Sequence, residues 1–339
     1  KILILGSGAR ESALAWMFSK SKSISGLFTA PGNAGTYEIG MNINIDPMDF
    51  EAVIRCCKEK QITYVFVGPE APLAAGIVDL LKEENITAIG PPKKSAKLEA
   101  SKTYSKKFMV THNIPTAEAK EFSDFGEFKT YVESYKGMLV VKKNGLAAGK
   151  GVLESDNSSQ ILKFGQLILE KDTLLVEEFL TGYEISIFAL CDGKNFIILP
   201  PCSDFKKAGD GDTGLNTGGM GSICPNPWVN ASLKEQIKAE IIEPTFTGLK
   251  KEGIIYKGIL YFGLMITDKG PKILEYNVRF GDPETQVLLP IVKTDWGNIT
   301  EAIAQGTLDT IPISESTQSA VGVVVASHGY PGTYQKGIP

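Results

Sequence analysis

Histidine is nearly missing from this 339-residue chain, with only His112 and His328 present. That excludes histidine-rich metal sites and weakens any Ser–His hydrolase reading, so carboxylates, lysines and an arginine must carry the chemistry. Cysteine is sparse as well. Cys56 and Cys57 are adjacent, while Cys191, Cys202 and Cys224 are scattered, a spacing that makes neither a disulfide framework nor a zinc site. A reducing cytosol follows as the expected compartment. No apolar run reaches the ~20 residues a bilayer span requires, and no signal-peptide pattern opens the chain, so no membrane partner is expected. The net charge of -4 removes any general attraction to nucleic acid or to an anionic surface. What is present is ordinary globular composition, 43% hydrophobic and 22% charged, over a length that calls for two or three packed units.

The first stretch alternates apolar strands with helices. Strands are expected at 1–5, near 27–29, at 64–67 and ending at 89, with helices over 50–59 and 74–84. That alternation implies parallel pairing with helices on both faces, a doubly wound α/β unit. Pro91-Pro92-Lys93-Lys94 marks a boundary. A helix carrying Lys102, Tyr104 and Phe108 opens the next unit, and a compact α+β subdomain follows, with strands at 138–142 and 174–177 and a helix over 160–169. From Glu184 onward, longer antiparallel strands are expected at 185–190, 196–200, 259–266 and 271–280, and a last strand at 320–326. Residues 210–221 read as a long glycine-rich loop, whose length argues for a functional role.

Gly6-Ser-Gly8-Ala9-Arg10-Glu11 follows a strand and invites a dinucleotide reading, because glycines let backbone amides approach a phosphate at a helix N-terminus. Glu11 stands in place of the third glycine, and the second strand brings no acid for a ribose. A phosphate-binding turn for a mononucleotide-like substrate fits better. Gly145 to Gly151 resembles a P-loop without matching its spacing or its Ser/Thr; a lysine ending a buried strand beside it, Lys142, is well placed to hold polyphosphate. The most informative segment is Lys272 to Phe280. Strict alternation puts Ile273, Glu275, Asn277 and Arg279 on one face and Leu274, Tyr276, Val278 and Phe280 on the other. An acid, an amide and a guanidinium in a row are not accepted by a core without partners. Carboxylate and amide oxygens suit Mg2+ shared with phosphates, and Arg279 can neutralise charge on a transferring phosphoryl group.

Taken in order, Pro31 to Thr36, Val67 to Pro72, Leu98 to Lys102, Gly145 to Val152, Glu177 to Leu180, Asn216 to Gly221 and Asn277 to Gln286 resemble the phosphoribosylamine–glycine ligase family of the ATP-grasp superfamily. The resemblance implies an ATP-grasp fold over 99–312, with 116–183 as its small lid. A substrate-binding α/β domain would precede it over 1–98, and a truncated C-terminal domain would begin at 313–339. It implies a carbon–nitrogen ligase of purine biosynthesis, cytoplasmic, monomeric or weakly dimeric, using ATP with Mg2+ or Mn2+ and joining glycine to 5-phosphoribosylamine. Another ATP-grasp carboxylate–amine ligase is the alternative.

By motif, Lys102 and Lys142 resemble the ATP-phosphate lysines, with Gly145, Gly149, Lys150 and Gly151 in the flap above them. Glu177, Glu178, Phe179 and Leu180 would flank the adenine, with Glu178 and Leu180 offering backbone groups, and Glu184 would hold the ribose. Glu275 and Asn277 would be metal ligands. Arg279, Lys142 and Asp212 are the implied catalytic residues. Gly8, Arg10, Asn33 and Glu70 would hold phosphoribosylamine, with Asp212, Asn216, Thr217, Gly218, Gly219, Met220 and Arg279 completing the substrate site. Ala9, Ser12, Tyr183, Phe205 and Leu215 depart from the family pattern without touching a metal ligand or ATP lysine.

Overall fold

The computed structural model describes residues 1–147, 151–211 and 213–335, so Gly149, Lys150 and Asp212 lie outside the described residues. Five strands open the chain: β1 (Ile2–Gly6), β2 (Leu27–Pro31), β3 (Met41–Asn42), β4 (Tyr64–Val67) and β5 (Thr87–Ile89). They form one sheet in the order β3-β2-β1-β4-β5, every pair parallel. Ile2 to Leu5 have no exposure, as expected of a central strand covered on both faces. The single helix expected over 74–84 is two, Glu70–Ala75 and Ile77–Glu83. Gly76 separates them at φ +103°, a left-handed turn that ends the first helix at little steric cost.

Four antiparallel strands make the next sheet: β6 (Ala119–Phe122), β7 (Leu139–Lys143), β8 (Val152–Ser155) and β9 (Leu174–Glu178), in the order β6-β9-β7-β8. Leu139 and Val141 of β7, with Leu174 and Val176 of β9, face a core closed by Phe128, Val132 and Ile161 from two covering helices. Period-two alternation therefore sends Lys142 and Glu177 to the opposite face. Val140 opposes Glu177 in this register, so Lys142 and Glu177 become diagonal neighbours.

Then come β10 (Tyr183–Asp192), β11 (Phe196–Ile198), β12 (Ser203–Gly209), β13 (Thr213–Cys224), β14 (Lys257–Thr267), β15 (Gly270–Asn277) and β16 (Ala320–Val323). The large sheet runs β11-β10-β14-β15, antiparallel throughout. The strict alternation expected along 273–280 does not hold. Glu275 pairs with Gly263 but Ile273 pairs with Leu264, leaving Leu274 as a bulge. The extra residue turns Ile273 into the apolar cluster that holds Tyr276 and Val278, while Leu274 lines the cleft with Glu275 and Asn277.

From Thr213 onward the glycine-rich stretch 210–221 is strand, not loop. Most of it is β13, paired with β12 on one edge and β16 on the other. Glycines hide a strand from propensity because they offer no side chain to pattern. Here the close approach demands them: a Cβ at Gly221 would lie 2.7 Å from the carbonyl oxygen of Gly322.

Candidate active site

A cavity of about 300 Å³ opens between the β6–β9 sheet and the β10–β15 sheet, with the end of the parallel sheet at its far side. Lys102, Lys142, Glu275, Asn277, Arg279, Arg10 and Glu70 all line it. Lys102 stands at the start of the helix Lys102–Thr111, capped by Ser101. Its backbone N–H donates to Asn144 O, and its Nζ donates to Gly145 O at 3.3 Å, tying the helix to the glycine loop. Burial pulls its ammonium below the usual lysine range, partly opposed by Glu275. Lys142 Nζ donates to Glu177 Oε2 at 2.6 Å and to Leu274 O at 3.2 Å. Burial would lower it too, yet Glu177, Glu275 and Glu184 together outweigh that and hold it above the usual lysine range.

Glu275 faces four cations. Burial alone would raise its carboxyl, but Lys206, Lys142, Lys102 and Arg279 together hold it below the usual range. Asn277 Nδ2 donates to Glu275 Oε1 at 3.4 Å, and Asn277 Oδ1 accepts from Arg279 Nη2 at 3.2 Å. One ionised carboxylate and one amide oxygen converge on a cleft walled by lysines. Mg2+ is commonly bound in this way, by one or two protein oxygens and the substrate's phosphates. The donor set fits a magnesium-like ion of this kind. Among the described residues, no group of three or more His, Cys, Asp or Glu forms a self-sufficient metal cage.

Arg279 is anchored through Nη2 to Glu99 Oε1 at 2.8 Å and through Nη1 to Phe280 O at 3.1 Å, with Glu70 Oε2 3.6 Å from Nε. Its Nε is buried without a hydrogen-bond partner, the kind of donor a ligand oxygen satisfies. Glu99 also accepts from Val278 N at 2.8 Å, so it fixes both the strand end and the guanidinium.

From the helix Ala9–Ser19 that follows β1, Arg10 reaches across to Phe280 O at 3.1 Å. Glu11 folds back over the turn, accepting from Gly8 N at 2.7 Å and from Arg10 Nε at 2.7 Å. Its carboxylate thus fills the helix N-terminus where a dinucleotide pyrophosphate would sit. Asn33 braces the same turn, Nδ2 donating to Ser7 O and Gly8 O. Gly8 and Asn33 do not line the cavity themselves.

Other predicted residues are placed differently. Gly151 lines the cavity, while Gly145 is held outside it by Asp172, which accepts from its N–H at 3.1 Å. Glu177 lines it with both oxygens engaged by lysines. Glu178 Oε1 accepts from Lys272 Nζ at 2.8 Å and from Glu118 N at 3.0 Å, so its side chain bridges β9 to β15. Leu180 is buried, Phe179 is exposed, and Glu184 is paired with Lys206 at 2.8 Å. Thr217 and Gly218 line the cavity. Asn216, Gly219 and Met220 lie along β13 beside them, with Gly219 against Pro283.

Sequence reasoning missed Lys106, Glu99, Asp204, Lys206 and Glu284, all on the cavity wall. Lys106 had a signal, standing four residues after Lys102 on one helix face. Asp204 and Lys206 share a strand face, invisible until β12 is recognised as a strand. Glu284 is fully buried, accepts from Ser186 Oγ at 2.9 Å, and is pushed up to about 7 by burial and by Asp204.

Residues 1–99 match the family model of the phosphoribosylglycinamide synthetase N domain, and residues 100–285 that of its ATP-grasp (A) domain. The chain is 45% identical to a phosphoribosylamine–glycine ligase of Mesorhizobium japonicum, over 99% of this chain and 80% of that protein. It is 44% identical to the trifunctional purine biosynthetic protein adenosine-3 of Drosophila pseudoobscura, over 99% of this chain. There it spans about a quarter of the relative's length, 26%. The crystal structure of a phosphoribosylamine–glycine ligase from Thermotoga maritima superposes with a TM-score of 0.85 at 35% identity, covering 98% of this chain and 82% of that one. With both its parallel-sheet unit and its antiparallel ATP-grasp unit matched, the chain belongs to the phosphoribosylglycinamide synthetase family.

Proposed function

We propose that this chain uses ATP to ligate glycine to 5-phosphoribosylamine, a step of purine biosynthesis. The observation that carries this is the convergence on one cavity of Lys102 and Lys142, of Glu275, Asn277 and Arg279, and of Arg10 and Glu70 from helices of the parallel-sheet unit. A carboxylate is a poor electrophile until one oxygen becomes a leaving group. A glycine carboxylate oxygen attacks the γ-phosphorus, ADP departs, and glycyl phosphate results. The amine nitrogen of phosphoribosylamine then attacks the acyl carbon, expelling phosphate and losing a proton. Neither step needs covalent help from the protein, so positioning and charge neutralisation are its work.

Lys102 and Lys142 hold the ATP phosphates, and Arg279, kept charged and aimed by Glu99, neutralises the transferring group. Glu275 and Asn277 would hold a divalent ion, Mg2+ or Mn2+, which neutralises phosphate charge when bound. Arg10 and Glu70, with Gly8 and Asn33, face the phosphoribosylamine side; Thr217 and Gly218 close the substrate side. Residues 1–98 act as the substrate domain and 99–312 as the ATP-grasp domain, with 116–183 its lid. The protein works in the cytoplasm, which five free, buried cysteines support. It acts as a monomer or weak homodimer. No described helix is long and apolar enough to cross a membrane.

Release of ADP from MgATP, measured with glycine and freshly generated phosphoribosylamine each present or omitted, tests the reading. Full turnover should require both co-substrates. ADP release indifferent to both would defeat it.

A further inference from the structure

Lys106 sits one turn beyond Lys102 on the helix Lys102–Thr111, and both line the cavity. Their ammonium groups are used differently. Lys106 Nζ donates to Glu177 Oε1 at 2.7 Å, to Thr116 Oγ1 at 2.6 Å and to Ala117 O at 3.0 Å. An ammonium has three donors and no acceptor, so the protein has consumed all that Lys106 offers. Lys142 spends two donors, on Glu177 Oε2 and Leu274 O, and keeps one for the cavity it lines. Glu177 is therefore held between two lysines, one saturated and one with a donor to spare. The two lysines outweigh the burial of Glu177 and hold its carboxyl below the usual range, while burial pulls the Lys106 ammonium below the usual lysine range against the pull of Glu177.

The same contacts join the two walls of the cleft. Thr116 Oγ1 accepts from Lys106 and donates to Ile273 O at 2.8 Å, while Ile273 N donates to Pro115 O at 2.8 Å. Lys106 thus connects β9, which carries Glu177, to β15, which carries Glu275 two residues beyond Ile273. Resting on the ATP-dependent reading above, we propose that Lys106 is a positioning residue for the nucleotide. By binding one oxygen of Glu177, it stops that carboxylate from pairing wholly with Lys142, and it holds the two sheets at the spacing the phosphates require. It makes no contact with substrate itself.

The test is Lys106→Met, which keeps length and removes charge while Glu177 retains Lys142 as a partner. MgATP binding is measured by calorimetry and ligation by steady-state kinetics. With Glu177 left to pair wholly with Lys142 and the link between the sheets cut, MgATP affinity should fall about tenfold while KM for glycine changes by less than about twofold. In a Glu177→Gln background the same substitution should cost less than in the wild type, since only the Thr116 link remains to be lost; an equal loss in both backgrounds would overturn the role through Glu177. Wild-type MgATP affinity in Lys106→Met, or equal losses toward ATP and glycine, would overturn the proposal. Should Lys106→Met fail to fold, Thr116→Val removes one anchor and the link to Ile273; it must weaken MgATP in the same direction, and an unchanged affinity overturns the idea. Failure of the wild-type chain to bind MgATP would instead strike down the ligase reading on which this one rests.

Discussion

Glu275 illustrates how one residue serves several others. It is the shared anion of Lys206, Lys142, Lys102 and Arg279, and with Asn277 it supplies the oxygens suited to a divalent ion. Glu275→Gln keeps the volume and removes the charge, so the cluster loses its counter-ion while its packing stays. We expect ADP formation to fall by at least about 100-fold, in line with losing a buried electrostatic stabiliser, with an unchanged circular dichroism spectrum. Normal turnover by this variant would sink the metal assignment. The chemistry of Glu275, Asn277 and Arg279 was legible in sequence because an acid, an amide and a guanidinium at spacing two cannot all be core. Glu99 was not, since its partner Arg279 lies 180 residues away.

At the scale of elements, strand periodicity was readable where side chains alternate and unreadable where they do not. β7 and β9 declared themselves through Leu139, Val141, Leu174 and Val176. β13 did not, because its glycines carry no pattern and its identity rests on backbone pairing with β12 and β16. The bulge at Leu274 belongs to the same class: it is a property of the pairing of β15 with β14, and neither strand encodes it alone. Close backbone approach is also a pairing property. Gly258, the second residue of β14, has φ +122°, and a Cβ there would lie 3.0 Å from the backbone of Gly90, just past β5. Gly258→Ala should therefore lower stability by about 2 kcal/mol, from left-handed strain and from forcing two backbones apart. Urea unfolding would show a lower midpoint with the slope unchanged; an unaltered midpoint would contradict the close approach.

For the whole molecule, the two larger sheets are not separately cored. Leu3, Leu5, Val65 and Val67 of the parallel sheet share one apolar cluster with Ile185, Ile187, Phe262 and Tyr276 of the large antiparallel sheet. The β6–β9 sheet keeps its own smaller core. A cavity at the meeting of these bodies inherits buried charge, and that links function to global stability. Glu284, fully buried against Ser186 and facing Asp204, Lys206 and Tyr261, has its carboxyl raised from 4.5 to about 7. The folded state therefore binds this proton more tightly than the unfolded state. The resulting stability is fully present below about pH 4.5 and is lost as pH rises through about 7. Glu284→Gln, which mimics the protonated form, should flatten the fall in stability between about pH 5 and 8, as read from urea midpoints across that range. A slope identical to wild type would show that other groups set it.

Sequence by itself determined that a parallel unit precedes an antiparallel one and which polar residue types a strand face must compensate. Those follow from local periodicity and from residue types whose burial must be compensated. Tertiary structure alone decided that Leu274 lines the cleft and Ile273 does not, that residues 213–224 are strand, and that Glu11 closes the helix N-terminus to a dinucleotide. It also decided that Lys106 spends every donor on the protein while Lys142 keeps one. Each of these depends on which backbone lies opposite which, and that register is settled only when the sheets pack together.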